Sequence, residues 1–201
     1  MAFNYSPKIV TDGLVMYLDA GNNRSYASGS TSWLDLSRGE NNGTLTNGPT
    51  FSSADYGSIV FDGVDDHVST VSNPIVTNQI TCDAWVNLDT SNITGSVTAG
   101  WIMGRENNYR LIYFTSSFSW ICATVSNGWY STGTNISYDY SSSINNRWFN
   151  IIGTYNGTYN SMYVNGQLLV TGSNISGNIL SANPFYIARS QAVGSVNYGK
   201  G

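Results

Sequence analysis

Three aspartates close together in the sequence form its densest group of acidic side chains and could bind a metal ion. Asp62, Asp65 and Asp66 lie in the segment FDGVDD, and Asp19 is a further acidic residue upstream. Ca²⁺ takes about six to eight oxygen ligands, but the segment lacks the stepped acidic spacing of an EF-hand loop. Aspartates also accept hydrogen bonds from backbone amides in turns, and Gly63 marks a turn here. We therefore favour a hairpin turn, keep Ca²⁺ as the alternative, and expect no other cofactor.

His67 directly follows this cluster and is the single histidine of the chain. One histidine excludes a metal site built from several histidines and leaves one base for a catalytic triad. The nucleophile motif G-x-S-x-G does not occur. We interpret His67 as a strand residue near carboxylates, with a pH-responsive contact as the alternative because histidine titrates near neutral pH.

Two stretches have the composition of a sugar-binding surface. Large rigid rings and short polar side chains together recognise ligands at little entropic cost, as in antibody loops. The residues that we assign to carbohydrate binding are Trp129, Tyr130, Tyr138 and Tyr140 in the first stretch, and Arg105, Asn107 and Tyr109 in a second loop. The alternative is that these rings fill the core or a subunit interface.

Cys82 and Cys122 are the only cysteines, and both lie in apolar, strand-like runs. A buried free cysteine behaves as a small apolar residue, and no neighbouring histidine or cation is present to activate either thiol. We expect two buried thiols, with a cross-strand disulfide as the alternative.

The composition limits both the architecture and the partners. The chain has 201 residues, of which 10% are charged and 13% aromatic, and its formal net charge is −4. Long surface helices are disfavoured because the only lysines are Lys8 and Lys200 and the only glutamates are Glu40 and Glu106. The negative charge argues against nucleic acid as a partner. No apolar stretch is long enough to span a membrane, so we expect no membrane insertion. The first residues, MAFNYSPKI, have neither a charged n-region nor an apolar h-region, so we expect no signal peptide.

Turn residues and β-branched runs alternate along the chain. Asn-Gly and Asp-Gly dipeptides, which favour tight hairpins, recur from Asp12-Gly13 to Asn165-Gly166 and include Asn42-Gly43. We predict ten strands, namely Leu14–Leu18, Ser58–Phe61, Ile80–Leu88, Trp101–Gly104, Arg110–Phe114, Ser119–Val125, Trp148–Tyr155, Ser161–Val164, Gln167–Val170 and Phe185–Ala188. Short strands at this spacing predict an all-β, antiparallel two-sheet sandwich with little or no helix. The three runs Trp148–Tyr155, Ser161–Val164 and Gln167–Val170 predict a three-stranded meander over 148–170.

Three further expectations concern the surface and the domain. In the predicted strand at Ile80, Trp85 lies on the face opposite the aliphatic residues, and we expect this face to be covered too. The serine-rich stretch 131–146 is predicted to be a long exposed loop. We expect a single domain over residues 1–201, with residues 1–12 as an N-terminal arm.

Five segments occur in order along the chain: GLVMYLDAGN, TSWLDLSRGENNGTLTNGPTF, SIVFDGVDDHV, ITCDAWV and RWFNIIGTYNG, the last followed by SMYVNGQL. Together they resemble the LamG-like, concanavalin A-like jelly-roll domains found in phage virion and tail proteins. The resemblance runs from about Gly13 to the end of the chain and implies a jelly-roll sandwich. Members of this family continue into a final strand that pairs near the first. We therefore expect that strand to be missing after Gly201 through truncation or disorder. The alternative is an open Leu14–Leu18 edge that another chain or a loop must cover.

The resemblance also bears on activity. Glycanases with this fold carry glutamates in an E-x-D-x-E pattern, because retaining hydrolysis needs two carboxyls about 5 Å apart. The two glutamates of this chain are isolated, so we expect no enzymatic activity.

The resemblance implies a phage virion structural protein, a head decoration or a tail or fibre component, at the virion surface. Its lectin-like domain would attach to glycans or to the host surface, with other virion proteins and further copies of itself as partners. The alternative is a purely structural decoration or fibre subunit that binds no sugar. A bacterial adhesin or an accessory carbohydrate-binding module is a third reading.

Overall fold

The computed structural model describes residues 9–70, 78–90, 99–105, 108–124, 135–140, 144–172, 176–179 and 184–188. These residues contain fourteen strands and one short 3₁₀ turn, Ala54–Tyr56. The strands are β1 (Ser32–Trp33), β2 (Gly43–Thr46), β3 (Thr50–Ser52), β4 (Ser58–Val60), β5 (His67–Thr70), β6 (Ile80–Asn87), β7 (Gly100–Arg105), β8 (Tyr109–Tyr113), β9 (Ser117–Cys122), β10 (Asn135–Asp139), β11 (Trp148–Tyr155), β12 (Asn160–Val164), β13 (Gln167–Thr171) and β14 (Phe185–Ile187).

The strands form two main sheets and a small ribbon. The larger sheet has eight strands in the order β1-β2-β5-β14-β7-β8-β9-β10, and the smaller has four in the order β13-β12-β11-β6. Strands β3 and β4 pair separately. Paired strands are antiparallel throughout these sheets. The fold is therefore the all-β, antiparallel sandwich that the sequence predicts, and β11 to β13 form the predicted meander.

The main core lies between the two sheets and is rich in aromatic residues. In β11 the buried positions Phe149, Ile151 and Tyr155 alternate with half-buried ones, as expected of a strand with one face on the core. Trp120 of β9 is fully buried opposite them, and its Nε1 donates to the Thr154 carbonyl at 3.1 Å. Gly153 lies against this indole, because a Cβ at that position would be 2.3 Å from Cδ2 of Trp120.

Strands β8 and β9 of the larger sheet are buried on both faces. All residues of β8 and β9 are buried, although neighbouring side chains of a strand point to opposite faces. A separate apolar cluster of Ala99, Trp101, Ile112 and Ile121 occupies the face turned away from the main core. The guanidinium of Arg110 lies 5.0 Å above the Trp101 ring in a cation–π contact. Strands β8 and β9 are therefore the most enclosed part of the described fold.

The segment Leu14–Leu18, predicted to be a strand, is instead held by side chains of a neighbouring loop. The Asp35 carboxylate accepts hydrogen bonds from the backbone N–H groups of Tyr17, Ser37 and Asn41, at 2.8 to 2.9 Å, and from the Ser37 hydroxyl at 2.8 Å. The side-chain amide of Asn41 donates to the Val15 carbonyl. Because a carboxylate takes the place of a strand partner, this strand prediction is wrong.

Two local predictions differ in outcome. Asn165 and Gly166 both have positive φ, 51° and 78°, and join β12 to β13 in the tight hairpin that such a dipeptide favours. Asn42-Gly43, by contrast, forms no hairpin, because Gly43 begins β2 and pairs with Thr70. A side chain at Gly43 would meet Val68, since a Cβ there would lie 2.6 Å from Cγ1 of that residue.

The predicted loop 131–146 contains the strand β10, so the loop prediction is wrong over Asn135–Asp139. The strand pairs with β9 at the edge of the larger sheet, and Ile136 is its buried residue. Mostly polar residues at an edge position give little apolar signal, which explains why the sequence suggested a loop. The expectation of a missing final strand concerns residues 189–201 and beyond, outside the described residues.

Trp85 projects from the smaller sheet into solvent with 68% of its surface exposed. The alternation in β6 correctly placed it opposite Cys82 and Ala84, which face the core. The expectation that its face would be covered is wrong, because Thr81 and Asp83 beside it are exposed as well.

Cys82 and Cys122 are both free and buried, as predicted. They belong to β6 and β9, one in each main sheet, and both side chains join the main core. Burial raises the pKa of both thiols, that of Cys122 to about 12. Among the described residues, no helix has the length and apolar character needed to cross a bilayer.

Candidate functional site

The acidic segment at Asp62 forms a turn closed by its own carboxylates. One oxygen of Asp62, Oδ1, accepts hydrogen bonds from the backbone N–H groups of Val64, Asp65 and Asp66 at 2.8, 3.3 and 3.4 Å. The Asp66 carboxylate in turn accepts from the Asp62 N–H at 3.0 Å. Gly63 has φ of 73°, which suits a tight turn. These hydrogen bonds are those expected of a turn. The prediction of a hairpin is wrong, because the flanking strands β4 and β5 pair in different sheets.

The environments of the three carboxylates differ. The hydrogen bond from the Val64 N–H, reinforced by those of Asp65 and Asp66, lowers the pKa of Asp62 below its ordinary value. Burial, with the neighbouring charges of Asp62 and Asp65, raises the pKa of Asp66. Ligand oxygens of the three residues lie within 4.8 Å of one another, which is close enough to share a cation. The three hydrogen bonds on Oδ1 of Asp62 would compete with such an ion, so the set fits Ca²⁺ poorly.

We therefore predict that Ca²⁺ does not stabilise the protein. The expected result is an unchanged melting temperature when a chelator or millimolar CaCl₂ is added, measured by differential scanning fluorimetry. A melting temperature that rises progressively with CaCl₂ concentration would contradict this, because an ion bound to the folded state stabilises it by mass action. MgCl₂ at the same ionic strength is the control for a general salt effect.

His67 lies in β5 directly after this turn and is buried. Its Nδ1 is 3.0 Å from the Asp65 carbonyl oxygen, and its ring packs edge-on against Tyr186 at a centroid distance of 6.0 Å. These contacts match the interpretation of His67 as a strand residue beside the acidic turn.

The residues assigned to sugar binding do not form one surface among the described residues. Arg105 and Tyr109 belong to β7 and β8 and are each about 1% exposed, so their placement in a loop is wrong. The two residues are opposite each other in paired strands of the larger sheet, and the Tyr109 ring packs in the main core against Trp120 at a centroid distance of 6.3 Å. Asn107, Trp129 and Tyr130 lie outside the described residues.

Tyr138 and Tyr140 lie at one edge of the sandwich, in and just after β10. Their ring centroids are 5.8 Å apart, and the Tyr140 ring packs edge-on against Phe118 and Phe149 of the core at 6.0 and 5.4 Å. Tyr138 keeps 37% of its surface exposed. Tyr140 therefore serves packing, and Tyr138 remains available to a ligand.

A shallow groove of about 440 Å³ lies beside β2 and β3. It is lined by Tyr26, Ser28, Gly29, Ser30, Thr31, Leu45, Asn47, Gly48, Pro49, Thr50 and Phe51. Its two rings are already in use. Tyr26 is 4% exposed, its hydroxyl donates to the Ser30 carbonyl at 3.0 Å, and its ring packs against Phe51 at a centroid distance of 5.5 Å. The groove therefore offers polar walls without a free aromatic platform.

The outer side of the four-stranded sheet is the most suitable surface for a ligand among the described residues. We call it the Trp85 face. Its outward side chains are Thr81, Asp83, Trp85, Asn87, Trp148, Asn150, Ile152, Thr154, Ser161, Tyr163, Leu168 and Thr171. An exposed indole stands here among hydroxyl and amide groups, and sequence reasoning missed it because a covered face was expected.

Strand register places the key groups of the Trp85 face. Trp85 is directly opposite Asn150, and Asp83 is directly opposite Ile152 on β11. The Asn150 amide donates to the Asp83 carboxylate at 2.6 Å, which fixes both side chains next to the indole. A platform ring beside an ordered acceptor and amide is an arrangement that can hold a sugar ring by stacking and by hydrogen bonds to its hydroxyls.

Three solved structures of binding domains share this fold at low identity. The receptor binding domain of botulinum neurotoxin C/D mosaic serotype matches with a TM-score of 0.69 and 14% identity, covering 95% of this chain and 48% of that chain. The ligand binding domain of botulinum neurotoxin serotype D, solved in complex with N-acetylneuraminic acid, matches with a TM-score of 0.57, 14% identity and coverage of 77% and 42%. The binding domain of Paraclostridial Mosquitocidal Protein 1 matches with a TM-score of 0.58 and 15% identity, covering 88% of this chain and 47% of that chain.

The chain spans less than half the length of the structures it matches. The search among curated proteins found no match. A laminin G family profile, described as the concanavalin A-like lectin/glucanases superfamily, matches residues 62–201. Because that match covers well over half of the chain and agrees with the observed sandwich, the protein belongs to the concanavalin A-like lectin/glucanases superfamily.

Proposed function

We propose that this protein is a non-enzymatic structural protein of a phage virion, a head decoration or a tail or fibre component, whose lectin-like domain attaches to glycans. The family and the receptor-binding neighbours support a binding domain of lectin type. The phage assignment is supported by the segments GLVMYLDAGN and SIVFDGVDDHV, which resemble variants common in virion and tail proteins. Its site of action on this proposal is the virion surface.

The observation that carries glycan binding is the Trp85 face. The Trp85 indole has 68% of its surface exposed, and this apolar surface leaves water when a ligand covers it. Asp83 and Asn150 lie beside the indole and can form hydrogen bonds with the hydroxyl groups of a sugar. Tyr138 at the other sheet's edge is one of the other exposed rings. Both features suit recognition of uncharged polar ligands.

Two observations favour binding without hydrolysis. The sequence lacks the E-x-D-x-E pattern of glycanases that share this fold. The clustered carboxylates of Asp62, Asp65 and Asp66 are tied into their own turn by hydrogen bonds to backbone amides.

A second candidate function is that of a structural subunit whose exposed rings pack against other virion chains or further copies. Ile152, Tyr163 and Leu168 favour it, because they add apolar area to the Trp85 face and Leu168 is 51% exposed. Apolar area of this kind on a soluble domain marks interaction sites. On this reading the same face would be covered by protein instead of sugar.

A glycan array probed with the fluorescently labelled full chain separates the two functions. The lectin function predicts saturable, reproducible binding to a related set of glycans, together with loss of that binding when the free sugar is added in excess. A chain that binds nothing on the array and sediments as a stable oligomer would instead support the structural function. Incubation of reducing-end-labelled glycans with the protein tests hydrolysis, and their release as shorter products would contradict the non-enzymatic assignment.

A further inference from the structure

The Trp85 face carries almost no formal charge. Asp83 is the only charged residue in the four complete strands β6, β11, β12 and β13. Hydroxyl and amide groups supply the rest of its polarity, including a Ser161 and Thr171 hydroxyl pair 3.1 Å apart. No cation is therefore available within these strands to pair with an acidic sugar. The Asp83 carboxylate would repel it, as would that of Asp55, which accepts a hydrogen bond from the Trp148 indole at 3.0 Å.

The polar and apolar groups of this face lie in a row that crosses the strands. Asp83 is opposite Ile152, Ile152 is opposite Tyr163, and Tyr163 is opposite Leu168. With neighbouring strands about 4.8 Å apart, the row is roughly 14 Å long. Trp85 and Asn150 form the start of a parallel row beside its Asp83 end. A ligand that covers both rows is longer than one sugar ring.

The position of Asp83 defines how a sugar would be held. Its Oδ1 accepts the hydrogen bond from the Asn150 amide, so the carboxylate is ordered while its side chain remains exposed. The second carboxylate oxygen and the remaining amide groups can bond neighbouring hydroxyls of one sugar ring. Charge-assisted hydrogen bonds of this kind favour hydroxyl donors over further acceptors such as a sugar carboxylate.

We propose that the Trp85 face binds a neutral, hydroxyl-rich oligosaccharide that stacks one ring on Trp85, bonds it through Asp83 and Asn150, and extends across the strands toward Tyr163. The inference rests on the proposed glycan-binding function and assigns its site and ligand class. An acidic sugar such as N-acetylneuraminic acid, which is bound in one of the neighbouring structures, would meet no cationic side chain in the four strands of this face.

The test uses the full chain and pairs of glycans that differ only in a terminal sialic acid. We expect the wild type to bind the neutral member of each pair more tightly. Trp85→Ala should weaken this binding by roughly 30-fold, as truncation of an exposed aromatic anchor does at other interfaces. Asp83→Asn should weaken binding to the neutral glycan. It should also reduce the ratio of the affinity for the neutral glycan to that for the sialylated glycan, because the negative charge that repels the sialic acid is removed.

Tyr159→Ala is the matched control. Tyr159 is an exposed aromatic residue, 45% exposed, in the β11–β12 turn beyond the far end of the same sheet. We expect the Tyr159→Ala variant to bind the neutral glycan as tightly as the wild type does. Since Trp85 is exposed, its replacement should also leave the melting temperature nearly unchanged, so that lost binding reports on the site and not on folding.

The outcomes separate the site, the ligand class and the function. If Trp85→Ala binds neutral glycans as tightly as the wild type, the site is wrong and the glycan-binding function stands. If the sialylated members bind more tightly, the neutral ligand class is wrong. If the wild type binds no glycan, both the inference and the proposed function fail. If Trp85→Ala instead dissociates an oligomer seen by sedimentation, the face is a contact between protein chains.

Discussion

Replacing Gly153 by alanine is expected to destabilise the domain by about 3 kcal/mol, at the upper end for overpacked cores. The added Cβ would lie 2.3 to 2.8 Å from three ring atoms of Trp120. The indole cannot move aside easily, because Trp120 is fully buried and its Nε1 is hydrogen-bonded to the Thr154 carbonyl. Urea unfolding followed by tryptophan fluorescence measures the change in free energy of unfolding.

A double-mutant cycle identifies the cause. In a Trp120→Ala background the three ring atoms that the new methyl would meet are absent, so Gly153→Ala should cost about 1 to 2 kcal/mol less than in the wild type. Thr154→Ala, at the next, outward-facing position, is the control and should change stability by about 0.5 kcal/mol or less. Equal costs of Gly153→Ala in both backgrounds would show that the clash with Trp120 is not the source.

Asp35→Ala should produce the second large loss, about 2 to 4 kcal/mol, because one carboxylate accepts four hydrogen bonds. These bonds hold the backbone at Tyr17 against the loop that contains Ser37 and Asn41. For a chain of this size the melting temperature should fall by roughly 10 °C, measured by differential scanning calorimetry. Asp139→Ala, at an exposed position in β10, is the control and should leave the melting temperature within about 2 °C of the wild type.

The Asp35 contribution should depend on pH in a defined direction. Burial alone would raise the pKa of Asp35, but the hydrogen bonds from Tyr17, Ser37 and Asn41 outweigh it and hold the pKa below its ordinary value. A depressed folded pKa stabilises the protein above the unfolded pKa of about 3.9, and the contribution disappears as the pH falls through the folded pKa. The stability difference between the wild type and Asp35→Asn should thus be constant near neutral pH and shrink below about pH 4. A difference that persists unchanged in acid would contradict the charged-acceptor role of Asp35.

Periodic, apolar elements could be predicted well from the sequence. The strand β11 was expected at Trp148–Tyr155 and lies there, because aliphatic and aromatic residues alternate over its whole length. The hairpin at Asn165-Gly166 was predictable for a different reason, since few dipeptides tolerate two consecutive positive φ angles. Both features depend on interactions within a few residues of the chain.

The misplaced elements depend on distant partners. Leu14–Leu18 has a strand-like pattern, yet its backbone groups bond side chains of Asp35 and Asn41, which no local pattern reveals. Arg105 and Tyr109 have the sequence context of loop residues because they flank polar residues, but they lie in β7 and β8 and are buried, Tyr109 by packing against the distant Trp120. Trp85 shows the same limit, because alternation assigns a side chain to a face but cannot say whether anything covers that face.

The two free, buried thiols allow opening of the sandwich to be measured by chemical labelling. Alkylating reagents attack thiolates, and burial that raises the pKa of Cys122 to about 12 leaves almost none at neutral pH. Labelling of the native protein therefore requires an opening motion that exposes the thiols to solvent. The labelling rate measures how often such openings occur. Because Cys82 reports on one sheet and Cys122 on the other, equal labelling rates would mean that the layers separate together, and unequal rates would identify the layer that frays first.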